Sequence, residues 1–338
     1  VDRVYEVVGG MITHMLDSLH RRGSLRIVSV HHEQAAAFAV DAHGRMRGRP
    51  GVAMATSGPG ATNLLTGIGS CYFDSVPAVF ITGQVNRHEL KGDKAVRQLG
   101  FQETDIVTMA APVTKGAWLV PDAEELPTLL AEAFALAVTD RPGPVLLDIP
   151  MDVQNTVLED PPRPEDVVTP ALAAPELGAT VPPEFFDSLT GAGRPLVIAG
   201  SGAAHTANRR QVRRMIEQLN LPVVGSLLGC DLLPAGHPLR VGFHGSYGNR
   251  WANYAIGRAD WLLVVGSRLD IRQTGADTES FRKDKTIFHV DIDGAEVNNR
   301  VPACHWIEGH VRSFAEAVKG SGFTVADDQL HPWFEEIR

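Results

Sequence analysis

The feature that most constrains the fold is a series of short, nearly continuous apolar runs, rich in β-branched residues and separated by glycines and prolines. Seven such runs occur, at Arg26–Val30, Val52–Thr56, Ala78–Thr82, Val145–Ile149, Leu196–Ala199, Trp261–Val265 and Thr286–Val290. Strands that helices cover on both faces, as in a parallel sheet, have this nearly uniform apolar pattern. The sequence therefore predicts an α/β fold made of doubly wound parallel sheets.

Two helices are predicted from apolar residues that recur with the period of a helix. One stripe consists of Val212, Met215, Ile216 and Leu219, and the other of Leu126, Leu129, Leu130, Ala133, Phe134 and Ala137. Asp122, with Glu125 three residues later, resembles a capping box at the start of the second helix,. A predicted strand follows, as expected where strands and helices alternate.

The length and one proline-rich segment predict how the chain is divided. A chain of 338 residues is long enough for two domains, at about 150 residues per domain. Seven prolines lie from Glu159 to Pro183, in a segment without the period of a helix or a strand. Such a composition predicts an extended, semi-rigid connector. The predicted organisation is a first domain at residues 1–156, a linker at 157–184 and a central domain at 185–330.

Composition narrows the class of protein. The net charge is −9, from 31 basic and 40 acidic residues, which disfavours nucleic acid or an anionic membrane as the partner. No apolar run reaches the roughly 18 residues that a membrane span needs. The three cysteines are widely spaced, which fits neither a disulfide framework nor a zinc site. We therefore predict a cytoplasmic protein that binds a small molecule and has no metal ligands of its own.

Polar residues follow three of the predicted strands. Glu33 begins an alanine-rich segment after the first run, Gly58-Pro59-Gly60 follows the second, and Gln84 follows the third. Because the carboxyl ends of parallel strands meet at one edge of a sheet, these residues are expected to line one crevice, where open α/β sheets bind ligands.

Each of these features also has a purely structural explanation. Glu33 in the first turn of a helix would be stabilised by the helix dipole. The Gly-Pro-Gly turn would simply allow a strand and a helix to pack closely. His31 and His32 are better explained as hydrogen-bonded core or interface residues than as metal ligands, because no second cluster has ligand spacing. Taken singly, the residues leave these alternatives open.

Taken in order, the motifs of the first half resemble a known family. They are His32-Glu33-Gln34-Ala35-Ala36, then Ala55-Thr56-Ser57-Gly58-Pro59-Gly60-Ala61-Thr62-Asn63-Leu64, then Asp74-Ser75-Val76-Pro77 and Ile81-Thr82-Gly83-Gln84-Val85. Two further motifs continue the pattern, Phe101-Gln102-Glu103-Thr104 and Arg141-Pro142-Gly143-Pro144-Val145. This half is similar to the pyrimidine-binding domain of the thiamine-diphosphate enzymes of the acetolactate synthase group.

The resemblance implies a set of site residues. Glu33 would be the catalytic residue, which holds the N1′ nitrogen of the aminopyrimidine ring and exchanges a proton with it. The residues that would bind the pyrimidine together with Glu33 are Ser57, Gly58, Pro59 and Asn63. The residues that would line the substrate pocket are Gly9, Gly10, Gln84, Phe101 and Gln102.

One segment departs from the family pattern. Between Arg87 and Phe101 the sequence is longer than in the biosynthetic acetolactate synthases that it resembles. The resemblance places this loop at the acceptor pocket, and loops on a fixed scaffold set substrate choice. We therefore expect a different acceptor.

The second half carries a weaker signal. Gly200-Ser201-Gly202 follows a predicted strand, but ordinary strand-to-helix turns produce the same incomplete pattern. The order of Gly242-Phe243-His244-Gly245, Gly266-Ser267-Arg268-Leu269-Asp270 and His289-Val290-Asp291-Ile292-Asp293 resembles the Rossmann-like central domain of the same family, which in several members holds FAD. The FAD-binding residues that this implies are Gly200, Gly202, Gly242, His244, Gly245, Arg268, Asp291 and Asp293.

The family also has a third domain, which binds the diphosphate through Mg²⁺ and is marked by Gly-Asp-Gly and paired asparagines. Gly-Asp-Gly does not occur in these 338 residues, so the pair Asn298-Asn299 lacks the Gly-Asp-Gly that precedes the asparagines of the family. We therefore expect a second subunit to supply the diphosphate-binding domain and its Mg²⁺, so that the enzyme is a split hetero-oligomer. The expected reaction decarboxylates a 2-keto acid such as pyruvate and transfers the two-carbon unit to a keto acceptor, either a second 2-keto acid or a keto sugar.

Two other hypotheses are compatible with the sequence. One is a non-catalytic flavin- or nucleotide-binding scaffold of the same fold, and the other is a fragment of a full-length acetolactate synthase. Glu33 argues against the scaffold, since a buried carboxylate costs stability unless it is satisfied.

Overall fold

The structure, a computed structural model, describes residues 1–160, 162–163, 166–167 and 177–337. The chain forms two compact units that divide between residues 175 and 176. Much of the segment predicted as a linker, including residues 168–176, lies outside the described residues. The last residues of that segment, from Pro183 onwards, belong to a helix of the second unit.

Within the described residues, the first unit is built on a sheet of six parallel strands. These are β1 (Arg3–Glu6), β2 (Arg26–Ser29), β3 (Gly51–Ala55), β4 (Ala78–Gln84), β5 (Gly116–Leu119) and β6 (Pro144–Pro150). They lie in the order β2-β1-β3-β4-β6-β5. Every residue of β3, β4 and β6 is buried, because helices cover both faces of the sheet, and this explains the nearly uniform apolar sequences of these strands.

The helices of the first unit pack on both faces of this sheet. They are α1 (Thr13–Arg22), α2 (Glu33–Arg47), α3 (Pro59–Phe73), α4 (Ile106–Ala110), α5 (Leu126–Val138) and α6 (Met151–Gln154), with 3₁₀ turns at Gly10–Ile12, Arg87–Glu89 and Ala111–Val113. One apolar cluster joins α2 and α3 to Phe80 and Leu146. Another joins α5 to Val79 and Leu147 on the opposite face. The first unit is therefore doubly wound, as predicted.

The described part of the second unit has the same architecture. Its six parallel strands are β7 (Pro195–Ala199), β8 (Val223–Gly225), β9 (Arg240–Phe243), β10 (Trp261–Val265), β11 (Thr286–Asp291) and β12 (His305–Glu308), in the order β12-β11-β10-β7-β8-β9. Its helices are α7 (Pro183–Thr190), α8 (Ser201–Ala204), α9 (Arg209–Leu219), α10 (Arg250–Arg258), α11 (Ile271–Thr274), α12 (Thr278–Arg282), α13 (Val311–Gly320) and α14 (Asp327–Ile337). Leu330 and Trp333 of α14 are buried in its core.

All seven predicted runs form strands, and both predicted helices are confirmed. Helix α9 buries the whole predicted stripe, which consists of Val212, Met215, Ile216 and Leu219. Helix α5 begins at Leu126, and only half of the predicted capping box is found: the Glu125 N–H donates to Asp122 Oδ1 at 3.0 Å.

The strands that the sequence does not predict are β1, β5, β8, β9 and β12. They have only three or four residues each, and β1, β9 and β12 carry charged or histidine side chains that interrupt an apolar run. Three of them, β5, β9 and β12, are edge strands. An edge strand needs less apolar sequence than a central strand, since a neighbour pairs with it on one side only.

Candidate functional site

The first unit has a topological switch point between β1 and β3. Strand β2 lies on one side of β1, and β3 lies on the other. The loops after β1 and β3 touch at this point: the Met11 N–H donates to Thr56 Oγ1 at 3.2 Å, and a Cβ at Gly9 would overlap the Thr56 side chain. Open α/β sheets bind ligands in the crevice at such a point.

Glu33 lies at this carboxyl edge of the sheet, as the first residue of α2. The N-cap of the helix is His32, whose ring Nδ1 accepts the N–H of Gln34 at 3.1 Å. His31 and His32 are both exposed, so neither is a core residue, and an interface role for them stays a prediction; His32 caps the helix. The sequence favours a helix start here because an N-cap acceptor and a first-turn acid complement the unpaired N–H groups.

Asn63 of α3 contacts Glu33. Its Nδ2 donates to Glu33 Oε2 at 2.8 Å, and both side chains are half-buried. The helix dipole alone would require no such partner from another helix. The structure therefore brings together two of the predicted pyrimidine-binding residues, and the contact fixes the orientation of the carboxylate.

The turn before α3 places three more of the predicted residues. Gly58 has a φ of 64°, and a Cβ there would lie 2.9 Å from the Cβ of Gln102. Pro59 occupies the first turn of α3, where it removes no helical hydrogen bond,. The Ser57 side chain is 1% exposed, and its hydroxyl has no hydrogen-bond partner among the described residues. Close packing thus explains Gly58, whereas the unpaired Ser57 hydroxyl is suited to a ligand.

The residues predicted for the substrate pocket differ from one another in how exposed they are. Gln102 lies against the Gly58 turn with a φ of 60°, which is uncommon for a residue other than glycine,. Phe101 is 74% exposed, and a Cβ at Gly10 would meet no described atom within 4 Å. The side chain of Gln84, by contrast, is buried and hydrogen-bonded within the protein.

Two buried carboxyls near this edge were not predicted from the sequence. Asp148 of β6 accepts hydrogen bonds from Thr82 Oγ1 at 2.7 Å and from Gln84 Nε2 at 2.8 Å. Glu6 of β1 is also buried: its Oε1 accepts from the Ser29 hydroxyl, and its Oε2 has no partner within the part of the chain that is described. An acid inside an apolar run was the available signal for Asp148, and Glu6 lies in a strand without a predicted run.

The environment of Asp148 changes its titration. Burial raises the pKa of the Asp148 carboxyl from 3.8 to about 7, against the opposing effect of the hydrogen bonds from Thr82 and Gln84. A carboxyl whose pKa is higher in the folded state stabilises the fold fully below its unfolded pKa, and this contribution is lost as the pH rises through the folded pKa.

We expect the free energy of unfolding of the wild type, relative to that of Asp148→Asn, to fall as the pH rises from about 4 to about 7. The fall should reach several kcal/mol at most, because one pKa unit corresponds to about 1.4 kcal/mol. His244, whose pKa burial lowers to about 4, acts in the opposite direction. The difference between the two proteins is therefore the quantity to measure, by urea unfolding across this pH range. Parallel pH profiles would show that Asp148 does not titrate there.

In the second unit, the predicted phosphate-binding glycines are explained by packing. A Cβ at Gly200 would overlap the Gly266 carbonyl, and a Cβ at Gly202 would lie 2.9 Å from the Gly266 Cα. Gly200 and Gly202 lie after β7, and Gly266 follows β10, so these turns meet at the switch point of the second sheet. The close approach of two backbones accounts for both glycines without a ligand.

The Gly242–Gly245 segment presents one buried polar atom. His244 is 1% exposed, its Nδ1 donates to the Gly225 carbonyl at 3.1 Å, and its Nε2 finds no partner in the described ranges. Gly242 is the third residue of β9, which ends at Phe243, directly before His244. Gly245 is tied to Asn253, which accepts its N–H at 2.8 Å and donates to its carbonyl at 3.0 Å. His244 Nε2 is thus the atom of this segment that is suited to a ligand.

The remaining residues predicted for FAD lie at the ends of β10 and β11. Arg268 is exposed. Against the opposing effect of burial, the hydrogen bonds from the Gln273 side chain and the Arg272 N–H, together with the charge of Arg268, lower the pKa of Asp270. Asp291 and Asp293 are half-buried and adjoin each other, since the Asp293 N–H donates to Asp291 Oδ1 at 3.0 Å. These side chains share one sheet edge with His244.

The structure gives two further findings on binding. No group of three His, Cys, Asp or Glu side chains in the described chain is arranged to hold a metal ion. None of the helices described here combines the length and the apolar composition needed to cross a membrane.

Two family models match the sequence, one in each unit. The model described as "Thiamine pyrophosphate enzyme, N-terminal TPP binding domain" matches residues 1–109, which include Glu33 and Asn63. The model described as "Thiamine pyrophosphate enzyme, central domain" matches residues 184–318.

Curated relatives extend the similarity over the whole chain. The chain is 38% identical over 344 residues to the acetolactate synthase large subunit of Parasynechococcus marenigrum, covering 100% of this chain and 54% of that protein. It is 35% identical over 340 residues to the acetolactate synthase isozyme 3 large subunit of Escherichia coli, covering 100% of this chain and 58% of that protein. The large subunit of Corynebacterium glutamicum is 40% identical over 303 residues, covering 88% of this chain and 46% of that protein.

The chain thus spans about half the length of the curated relatives it matches. The two models match the two units in chain order, and the resemblance inferred from the motifs is confirmed. The chain therefore belongs to the thiamine pyrophosphate enzymes, of which it carries the N-terminal TPP-binding domain and the central domain.

Proposed function

We propose that this chain is the pyrimidine-binding part of a thiamine-diphosphate-dependent carboligase of the acetolactate synthase type. The observation that carries the proposal is the contact between Glu33 and Asn63 at the switch point of the first sheet. The names of the relatives, acetolactate synthase large subunits, support the reaction class.

The chemistry assigned to this site is proton transfer at the pyrimidine. Thiamine diphosphate, when bound, supplies a carbon nucleophile that stabilises negative charge. Glu33 would hold the N1′ nitrogen of the pyrimidine and move a proton to and from it. Asn63 holds Glu33 Oε2, so the carboxylate presents its other oxygen in a fixed direction. Ser57 would give the pyrimidine a further hydrogen bond through its unpaired hydroxyl.

The proposed substrates are a 2-keto acid donor, such as pyruvate, and a keto acceptor, either a second 2-keto acid or a keto sugar. The length of the loop after β4 supports a choice of acceptor that this loop determines, and the loop is ordered by its own hydrogen bonds. The Glu103 carboxylate accepts the N–H of Lys91 and the N–H of Leu99, each at 2.7 Å. Such a loop presents a defined surface to a substrate.

The diphosphate and its Mg²⁺ would be held by a domain outside these 338 residues. We propose that this domain lies on a second chain, so that the working enzyme is a hetero-oligomer. The alternatives are a longer single chain with the same two units, and a scaffold without catalysis. The Glu33–Asn63 contact favours the enzyme over the scaffold, since a scaffold requires no oriented carboxylate in the crevice.

We propose that the second unit binds FAD, through fewer of its residues than the resemblance implies. His244 Nε2 and the exposed Arg268 are suited to a ligand, whereas Gly200 and Gly202 are explained by packing. We expect the protein purified from its own source to show the visible absorption band of a flavin. A colourless protein that still carries thiamine diphosphate would remove FAD from the proposal.

The experiment that tests the proposed function is native mass spectrometry of the protein from its own source, with Mg²⁺ and thiamine diphosphate present, followed by an assay of pyruvate consumption. We expect a complex with a second chain, with the cofactor bound and pyruvate consumed. A single, heavier chain that consumes pyruvate would contradict the split arrangement but keep the reaction. A chain that binds no thiamine diphosphate and consumes no pyruvate would favour the scaffold.

A further inference from the structure

A chain of hydrogen bonds runs from Asp148 of β6 through Gln84 of β4 to Thr104, which lies just after the loop between Arg87 and Phe101. Asp148 is 1% exposed and lies in register with Thr82 of the neighbouring β4. Its two oxygens accept from Thr82 Oγ1 and from Gln84 Nε2, at 2.7 and 2.8 Å. Gln84 Nε2 also donates to the Thr104 carbonyl at 2.8 Å, and Gln84 Oε1 accepts the Val85 N–H at 3.0 Å.

These contacts leave the Gln84 side chain no freedom to rotate. A carboxamide has two N–H hydrogens, and here one is directed to Asp148 and the other to Thr104. A carboxylate suits position 148 because both of its neighbours, Thr82 and Gln84, donate to it. An apolar residue at position 148 would leave a buried N–H of Gln84 unpaired, which is more costly than the loss of an exposed hydrogen bond.

Thr104, whose carbonyl Gln84 holds, is next to residues of the predicted substrate pocket. Two residues before it, Gln102 packs against the Gly58 turn at the start of α3. One residue before it, Glu103 organises the loop through the N–H groups of Lys91 and Leu99. A displaced Thr104 would therefore shift both the Gln102 side chain and the loop behind it.

We propose that Asp148 is a positioning residue, which acts through Gln84 to fix the Thr104 carbonyl and, with it, the Phe101–Thr104 segment on the acceptor side of the site. The catalytic consequence rests on the proposed function. The structural part of the inference rests on this chain alone, so the two can fail separately.

The structural test is hydrogen exchange, measured by mass spectrometry on the full protein. Asp148→Ala should speed exchange of the amides in residues 86–104 by about tenfold or more, since Gln84, which holds the Thr104 carbonyl, loses its buried hydrogen bond to Asp148. The matched control is Thr82→Val, which removes the other hydrogen bond to Asp148 but keeps the hydrogen bonds of Gln84 to Asp148 and to Thr104. Asp148→Asn is the conservative variant, because its Oδ1 can accept from Gln84 while the Thr82 hydroxyl turns to accept from its Nδ2.

We expect Thr82→Val and Asp148→Asn to exchange in residues 86–104 at close to the wild-type rate. Equal acceleration by Asp148→Ala and Thr82→Val would overturn the proposal, because loss of stability alone would then explain it. Should Asp148→Ala fail to fold, Gln84→Met removes the same N–H groups and should accelerate exchange in the same segment. Wild-type exchange in a folded Gln84→Met protein would also overturn the proposal.

The kinetic test uses the assembled enzyme. Asp148→Ala should raise the KM for the acceptor severalfold and leave the decarboxylation of pyruvate without acceptor nearly unchanged, and Asp148→Asn should restore the KM. An equal loss in both reactions would contradict a role on the acceptor side. A wild-type enzyme without carboligation would refute the proposed function, whereas the exchange result would still decide whether Asp148 positions Thr104.

Discussion

Glu33→Gln is expected to lower the rate of carboligation by about 10²- to 10⁴-fold, the range in which general acid–base catalysis contributes to enzymatic rates. Glutamine keeps the size of the side chain, and its amide oxygen can still accept from Asn63 Nδ2, which lies 2.8 Å from Glu33 Oε2. It cannot give up or take a proton at the ring nitrogen. The loss should therefore fall on kcat, and thiamine diphosphate should still bind. The measurement is the initial rate of pyruvate consumption together with a cofactor-binding titration.

Glu184→Gln is the matched control for this variant. Glu184 is also a first-turn glutamate, at the start of α7, and it is exposed. If Glu33 only stabilises its helix, both variants should lose a few tenths of a kcal/mol to about 1 kcal/mol of stability and neither should lose activity. Activity of Glu33→Gln within a few-fold of the wild type would support that explanation and refute the catalytic role.

The central strands and the main site could be predicted for the same physical reason. A strand buried on both faces requires an almost uniform apolar sequence, so the end of the apolar run marks the carboxyl edge of the sheet. Glu33 and Asn63 both follow such runs, and the structure brings them within hydrogen-bond distance. Their position after two predicted strands was enough to predict that they lie close together, because parallel strands place every carboxyl end at the same edge of the sheet.

The buried acids could not be predicted in the same way. A carboxyl inside an apolar run can mean that the strand prediction is wrong or that the carboxyl is buried in a real strand. The second case requires hydrogen-bond donors to the carboxyl, and these come from elsewhere in the sequence. For Asp148 these donors are Thr82 and Gln84, more than sixty residues away in the sequence. The register of β4 against β6 brings them together, and a hydrophobic pattern does not specify register between two uniformly apolar strands.

Glycines were the residues whose role the sequence left most ambiguous. In the second unit, Gly200 and Gly202 fit a phosphate-binding pattern, but the structure explains both by the approach of Gly266. In the first unit, the predicted strand stops at Thr82, while β4 continues through Gly83 to Gln84. A glycine inside a strand can mark a turn or a site of close backbone approach, and only the packing distinguishes the two.

Gly83→Ala should therefore have the largest effect on stability. A Cβ at position 83 would overlap the backbone carbonyl of Met11 and would also lie 2.9 Å from Ile12 Cγ2. No rotamer change relieves an overlap with backbone, so the 3₁₀ turn at Gly10–Ile12 must move, although Ile12 is fully buried and Gln154 Nε2 donates to the Met11 carbonyl at 2.8 Å. We expect a loss of about 3 kcal/mol or more, at the upper end of the range for overpacking, measured as the shift of the urea unfolding midpoint at constant slope.

Gly10→Ala separates the overlap from the loss of a glycine as such. A Cβ at position 10 would meet no atom of the described residues within 4 Å, so this variant should unfold close to the wild-type midpoint. If the Gly83→Ala protein is too unstable to accumulate while Gly10→Ala accumulates normally, the loss of stability is larger than urea unfolding can measure, and the prediction is still met. Equal midpoints for the two variants would mean that the turn after β1 moves freely. Gly9 and Gly10 would then have no fixed position relative to Glu33, and their predicted place in the substrate pocket would lose its structural basis.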